Sequence, residues 1–256
     1  MKIYRYRPMG QPDLDDRVQA ILTDGELWFP SPAQLNDPFD PIRQSIATTS
    51  ADDLRPLVRK AIDDKSPGLT EAEKKDIEEQ ILSPPFRGRF DQLVNDLLDR
   101  SGISCFSERN DEILMWSHYT NGHKGICLEF DKDILDREWQ HFYGVRKVTY
   151  TDSLPNFNPN LPPMDRTASL VLTKYSGWSY EREWRAVRIL ETGKGLGLIK
   201  FPPSSLTGVV FGCKTPDLER DQIRAWVSAG PCKGVRFFEA RMRGLAFALD
   251  VAPCIP

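Results

Sequence analysis

Strand-like segments recur along the whole chain while helical segments fall between them without regular alternation, and that irregularity is what most restricts the fold. A doubly wound chain alternates strand and helix; this pattern implies α+β with a mainly antiparallel, split sheet. Residues 2–6 alternate and are rich in tyrosine, and strands are expected again over 26–29, 103–107, 125–130, 145–150, 184–190, 197–201, 206–211, 235–238 and 245–250. Leu14, Val18, Ile21 and Leu22 give 13–24 helical spacing up to a stop at Gly25, and 166–175 and 217–229 also read as helices. Residues 51–100 differ from the rest. Leu54, Leu57, Val58 and Ile62, then Ile77, Ile81 and Leu82, then Phe90, Leu93, Val94, Leu97 and Leu98 are helix-periodic, with Ser66-Pro67-Gly68 and Ser83-Pro84-Pro85 between them. They predict a three-helix insertion in one elaborated domain spanning 1–256.

A net charge of -3, from 34 basic and 37 acidic residues, gives no field that would draw the chain to nucleic acid or an anionic membrane in general. Cys105, Cys127, Cys213, Cys232 and Cys254 are odd in number and widely spaced, which suits reduced core thiols. The start, Met1-Lys2-Ile3-Tyr4-Arg5-Tyr6-Arg7, lacks the apolar run of a signal peptide, and no run of about 18 apolar residues occurs anywhere. A cytoplasmic protein without a membrane partner is expected.

The densest chemistry lies in Trp178-Ser179-Tyr180-Glu181-Arg182-Glu183-Trp184-Arg185, where two carboxylates stand two residues apart among aromatic rings and arginines. If this segment runs into the strand over 184–190, the period of two points Glu181, Glu183 and Arg185 to one face. Aromatic walls raise a carboxylate's pKa and arginines lower it, so the two acids can take different protonation roles. A strand edge with exposed ion pairs is the bland alternative, and such pairs contribute little. A second cluster, Met115-Trp116-Ser117-His118-Tyr119, sets a hydroxyl, an imidazole and a phenol before a glycine turn. Ser117 and His118 are adjacent and face different ways on a helix, which argues against a nucleophile and base pair. In Asn36-Asp37-Pro38-Phe39-Asp40 the Asn and Asp side chains close turns on their own backbone, or the rigid loop presents Asn36 and Asp37 as hydrogen-bond partners to a polar ligand, with Phe39 packing underneath. His118, His123 and His141 lack metal-ligand spacing, so no metal is expected, and Gly193-Lys194-Gly195-Leu196-Gly197 reads as a hairpin loop.

As an ordered set, Ile3-Tyr4-Arg5-Tyr6, Leu27-Trp28-Phe29, Asn36-Asp37-Pro38-Phe39-Asp40, Cys105-Phe106-Ser107, Met115-Trp116-Ser117-His118-Tyr119, Gly125-Ile126-Cys127-Leu128-Glu129-Phe130 and Glu181-Arg182-Glu183-Trp184-Arg185 resemble the bacterial domain-of-unknown-function family DUF2971. A weaker resemblance is to the ADP-ribosyltransferase fold, in which a first-strand Arg, His or Tyr, a serine motif and a late Glu-x-Glu bind and activate NAD. That resemblance implies that Arg5 or Tyr4 holds the pyrophosphate or ribose side, with Ser117 at the second position and Tyr119 stacking on nicotinamide. It also implies that Glu183 is the catalytic acid and that Glu181 orients the acceptor. The usual Ser-Thr-Ser strand is replaced here by Trp116-Ser117-His118-Tyr119.

The reading reached is an NAD-using glycosyl-transfer or NAD-cleaving enzyme, a candidate bacterial defence or toxin component. Glu183, Glu181 and His118 are its catalytic candidates, and Tyr4, Arg5, Asn36, Asp37, Ser117 and Tyr119 its ligand-binding ones. NAD is the expected cosubstrate, with a protein or nucleic-acid acceptor. Two rivals stand beside it: a metal-dependent hydrolase or nuclease using Asp37, Asp40, His118, Glu181 and Glu183, and a non-catalytic nucleotide-binding sensor.

Overall fold

The computed structural model describes residues 1–40, 50–84, 88, 92, 96, 98–139, 144–154, 170–189 and 197–254. In chain order its strands are β1 (Lys2–Arg7), β2 (Glu26–Trp28), β3 (Ser101–Ser107), β4 (Ile126–Asp131), β5 (Val145–Lys147), β6 (Thr149–Thr151), β7 (Thr173–Tyr175), β8 (Glu183–Ile189), β9 (Leu198–Lys200), β10 (Leu206–Phe211), β11 (Arg236–Met242) and β12 (Leu249–Pro253). The α-helices are α1 (Pro12–Gln19), α2 (Ala51–Lys65), α3 (Glu71–Leu82), α4 (Ile113–Tyr119), α5 (Lys132–Glu138) and α6 (Asp217–Ala229). Eight strands form one sheet in the order β12-β11-β10-β4-β1-β3-β8-β5, and β2-β9 and β6-β7 form two small sheets. Every pair in the large sheet is antiparallel except β10 with β11, so the α+β, mainly antiparallel expectation holds.

The large sheet is split along one seam. β1 is registered with β4 from Lys2↔Asp131 to Arg7↔Ile126, and β3 with β8 from Ser101↔Ile189 to Ser107↔Glu183, yet β1 meets β3 only at Tyr4↔Ser107. Beyond that pair the strands diverge into a wedge. Side-chain alternation assigns three packing regions to its borders. On one face, Met115 and Trp116 of α4 pack against Tyr6, Cys127 and Val210 on the β1 side. On the β3 side Ile103 and Val187 pack with Leu54, Leu82 and Leu98 of the insertion. The opposite face carries the main core, from Ile3, Phe106, Leu128 and Phe130 to Val18, Leu22 and Ile223 of the covering helices.

Several local expectations are corrected. Residues 173–175 are strand β7, not helix, because Thr173 and Tyr175 pair in parallel with Thr149 and Thr151. The strand expected from 245 begins at Leu249, since Leu245 takes a left-handed φ of 65° in the turn before it. The segment 145–150 breaks into β5 and β6 at Val148, whose N–H turns to the Glu183 carbonyl at 2.9 Å. Helix α1 widens into a π turn over Ala20–Asp24 before Gly25 ends it at φ 68°. The third insertion helix lies only partly within the described residues; His141 and residues 193–196 of the glycine loop lie outside them. Among the described residues no helix is long and apolar enough to cross a membrane.

Gly125, at the entry to β4, permits the close approach of β1: a Cβ there would stand 2.1 Å from the Arg7 carbonyl oxygen. Gly125→Ala is therefore expected to lower stability by about 2–4 kcal/mol, read as a fall in the denaturant midpoint, because backbone must move to accommodate the methyl.

Candidate functional site

A cavity of about 190 Å³ occupies the wedge between β1 and β3. Four consecutive residues of β1, Tyr4 to Arg7, line it together with Ile103, Cys105 and Phe106 of β3. Successive residues of a strand point to opposite faces, so only a cavity that passes through the sheet at a strand's edge can meet all four.

Its acidic end is built by the convergence of three segments. The chain from Ser176 to Glu181 is a 3₁₀ turn, Arg182 reverses it with a left-handed φ of 44°, and β8 begins at Glu183. Glu181 and Glu183 thus reach one site, although Glu181 is not on the strand that the period of two assumed. Ser107 fixes the turn, its Oγ donating to the Glu181 carbonyl at 2.6 Å. Arg185, wholly buried, donates through Nε and Nη2 to Glu183 at 2.8 and 2.9 Å, through Nη1 to Asp40 and the Val171 carbonyl at 2.7 Å each, and through Nη2 to Asp40 again. Lys174 Nζ donates to Glu181 at 2.6 Å and to Glu183 at 3.1 Å, and lies 3.9 Å from Asp40. Three buried carboxylates, Asp40, Glu181 and Glu183, therefore share two cations.

The two glutamates titrate in opposite directions. Burial would raise Glu183, but Arg185 and Lys174 outweigh it and hold the carboxyl at about 2. At Glu181 burial prevails over Lys174, and with the repulsion of Glu183 it raises the pKa. Tyr119, at the end of α4, donates its hydroxyl to Glu181 at 2.6 Å, and burial with that carboxylate keeps the phenol protonated. The helix is held in place by Trp116, which donates to the Asn110 carbonyl at 2.7 Å and meets Tyr6 edge-on at 5.2 Å. Trp178 covers Lys174 at 5.2 Å, and Tyr150 accepts the Glu183 N–H at 2.8 Å.

The other end is basic. Arg5 donates to Ser104, to the Cys105 carbonyl at 3.1 Å and to the Trp28 carbonyl at 3.3 Å, so it bridges the seam from β1 to β3. Tyr4 lines the cavity while its hydroxyl faces Glu129 at 3.4 Å, and burial with Glu129 pushes its pKa up to about 12.

Of the expected site residues, Tyr4, Arg5, Asn36, Asp37, Tyr119, Glu181 and Glu183 line this one cavity. Asp37 also closes its turn, accepting the Phe39 N–H at 2.9 Å. Ser117 and His118 are exposed on α4 and do not line the cavity, because the buried face of that short helix is taken by Met115 and Trp116. Phe39 is 62% exposed rather than packed beneath the loop. Sequence reasoning missed Lys174, Tyr150, Arg7 and Ser107. Thr173 and Tyr175, strand-favouring residues on either side of Lys174 just before the 3₁₀ turn, were the available signal for Lys174.

Residues 115–186 match the family model DUF2971, described as a protein of unknown function. That segment runs from α4 into β8 and carries Tyr119, Lys174, Glu181, Glu183 and Arg185, so the resemblance to DUF2971 holds across most of the acidic end. No curated protein and no solved structure matches the chain.

Removing Arg185 leaves Asp40 and Glu183 buried without their main partner. Arg185→Ala is expected to cost about 3–5 kcal/mol in chemical denaturation. Acid unfolding gives a second check. Glu183 has a folded pKa below the ordinary value of about 4.3, so its contribution is present above that value and is lost as pH falls towards about 2. Glu183→Gln should flatten the stability curve across that window.

Proposed function

We propose that this chain is an NAD-using enzyme that breaks the nicotinamide–ribose bond, in the manner of an ADP-ribosyltransferase or an NAD-cleaving enzyme, with NAD as cosubstrate. What supports the reading is one cavity with carboxylates on one side of a split sheet and arginines on the other. Tyr4, Ser107 and Glu183 stand in one row across β1, β3 and β8. The outer two are about 10 Å apart at ordinary strand spacing, a span that a dinucleotide bridges.

The chemistry follows from the two glutamates. As the bond from the ribose carbon to the nicotinamide nitrogen breaks, positive charge grows on the sugar and nicotinamide leaves neutral. Glu183 is ionised at every ordinary pH and is buried, so its charge acts in a dry setting where it counts most. An acceptor hydroxyl attacks the same carbon and its proton passes to Glu181, whose raised pKa makes it the better proton acceptor. Tyr119 and Trp178 form the aromatic wall for the leaving ring. Arg5 takes the pyrophosphate side.

A second reading has its own observation: both oxygens of Glu183 are bonded to Arg185 or Lys174, an arrangement that also suits a sensor that binds a nucleotide without turnover. Incubation with labelled NAD, with and without cell extract, separates the two. The enzyme releases nicotinamide or transfers label; absence of consumption with every acceptor tried, together with NAD binding, establishes the sensor instead. Glu183→Gln is expected to lower NAD consumption on the order of 10³-fold while circular dichroism shows a folded protein at 25 °C. Glu181→Gln, which leaves the Arg185 pairs intact, should slow transfer to an acceptor more than it weakens NAD binding.

A further inference from the structure

We propose that Arg7 and Arg5 form a phosphate-binding subsite at the basic end of the seam, so that the ligand of this cavity is a phosphate ester rather than a nucleoside. The proposal rests on the preceding reading for the place of Arg5 on the phosphate side, and adds Arg7 as the residue that grips the anion.

Both arginines line the cavity, and part of their hydrogen-bonding capacity is unused. Nε and Nη2 of Arg7 and Nε of Arg5 are buried with no hydrogen-bond partner, and so is the indole N–H of the neighbouring Trp28. Among the described residues no carboxylate pairs with either arginine. A buried cation is ordinarily paired, because loss of hydration without a counter-charge is costly. Here the surroundings add to the cost, since Arg17 stacks on Trp28 at 4.8 Å and places a third positive charge beside the pair. Burial, with repulsion from Arg5 and Arg17, depresses Arg7 to about 9, and burial, with repulsion from Arg17, depresses Arg5 to about 10. Three guanidiniums in close reach favour a multiply charged anion over a single carboxylate.

Geometry points the same way. Nε–H and Nη2–H make up one edge of the guanidinium, the fork that engages two oxygens of a phosphate at once. At Arg7 that whole edge is the unpartnered one, while Arg5 is anchored by its Nη atoms to Ser104, Cys105 and Trp28. Arg5 is the fixed member and Arg7 offers the fork.

The test is titration of the full-length protein with inorganic phosphate, pyrophosphate and acetate, followed by calorimetry and thermal unfolding. Wild type should bind pyrophosphate with a raised melting temperature and should ignore acetate at equal ionic strength. Arg7→Gln should bind pyrophosphate at least tenfold more weakly and, without ligand, be no less stable, because it removes an unpaired buried charge. Arg7→Lys keeps the charge but loses the fork and should also bind at least tenfold more weakly, which covers the case in which the glutamine variant fails to fold. Arg236→Gln, on the outer surface, should bind as wild type does. Failure of wild type to bind either phosphate or pyrophosphate, equal stabilisation by acetate, or wild-type affinity in both Arg7 variants would overturn the subsite. Pyrophosphate binding that depends on Arg7 in a protein that never consumes NAD keeps the subsite and rejects the glycosyl-transfer reading. NAD consumption unchanged in Arg7→Gln does the reverse.

Discussion

A guanidinium with no access to water ties this molecule together. Arg185 stands on β8, Asp40 comes from the loop after β2, and the Val171 carbonyl precedes β7, so one side chain closes three segments far apart in sequence. Burying such a charge costs several kcal/mol before any bond forms, and only a complete set of acceptors repays it. The arrangement is consequently all or none: loop, strand and turn must be in place together. That requirement is also what brings Glu183 to the cavity as a permanently ionised group.

The insertion and α4 have complementary parts in this. Leu54, Leu82 and Leu98 seal the face of β3 and β8 on one border of the wedge, and Trp116 with Met115 seals the face of β1 and β4 on the other. Between the two apolar caps the sheet is left for polar side chains. Tyr119 reaches across from the α4 side to Glu181 on the β8 side, so the carboxylate whose pKa is raised is also a link between the two halves.

The fold class and most elements were legible because periodicity is a local signal: β10 shows a β-branched, aromatic-ended run and α6 helical spacing, both with clean boundaries. The convergence of Tyr4, Arg5, Asp37, Tyr119, Glu181 and Glu183 was legible in outline, since each lies in a segment whose composition is costly without a use. What sequence could not supply depends on contacts between distant segments. Lys174 looked helical because its pairing partner in β6 lies more than twenty residues upstream. Ser117 and His118 looked functional because of their company, but on a helix of seven residues the face is fixed by which neighbours the core claims, and it claimed Met115 and Trp116. The unpaired edge of Arg7 could not be read at all, because the absence of a partner is a property of the whole surrounding shell.

The single ladder pair between β1 and β3 has a mechanical meaning. Past Tyr4 and Ser107 the seam is held by Arg5, whose donors take the place of main-chain bonds to β3. One side chain therefore carries the closure of the two halves where the ladder stops, so loss of the Arg5 guanidinium opens the seam even though every remaining strand pair keeps its own bonds.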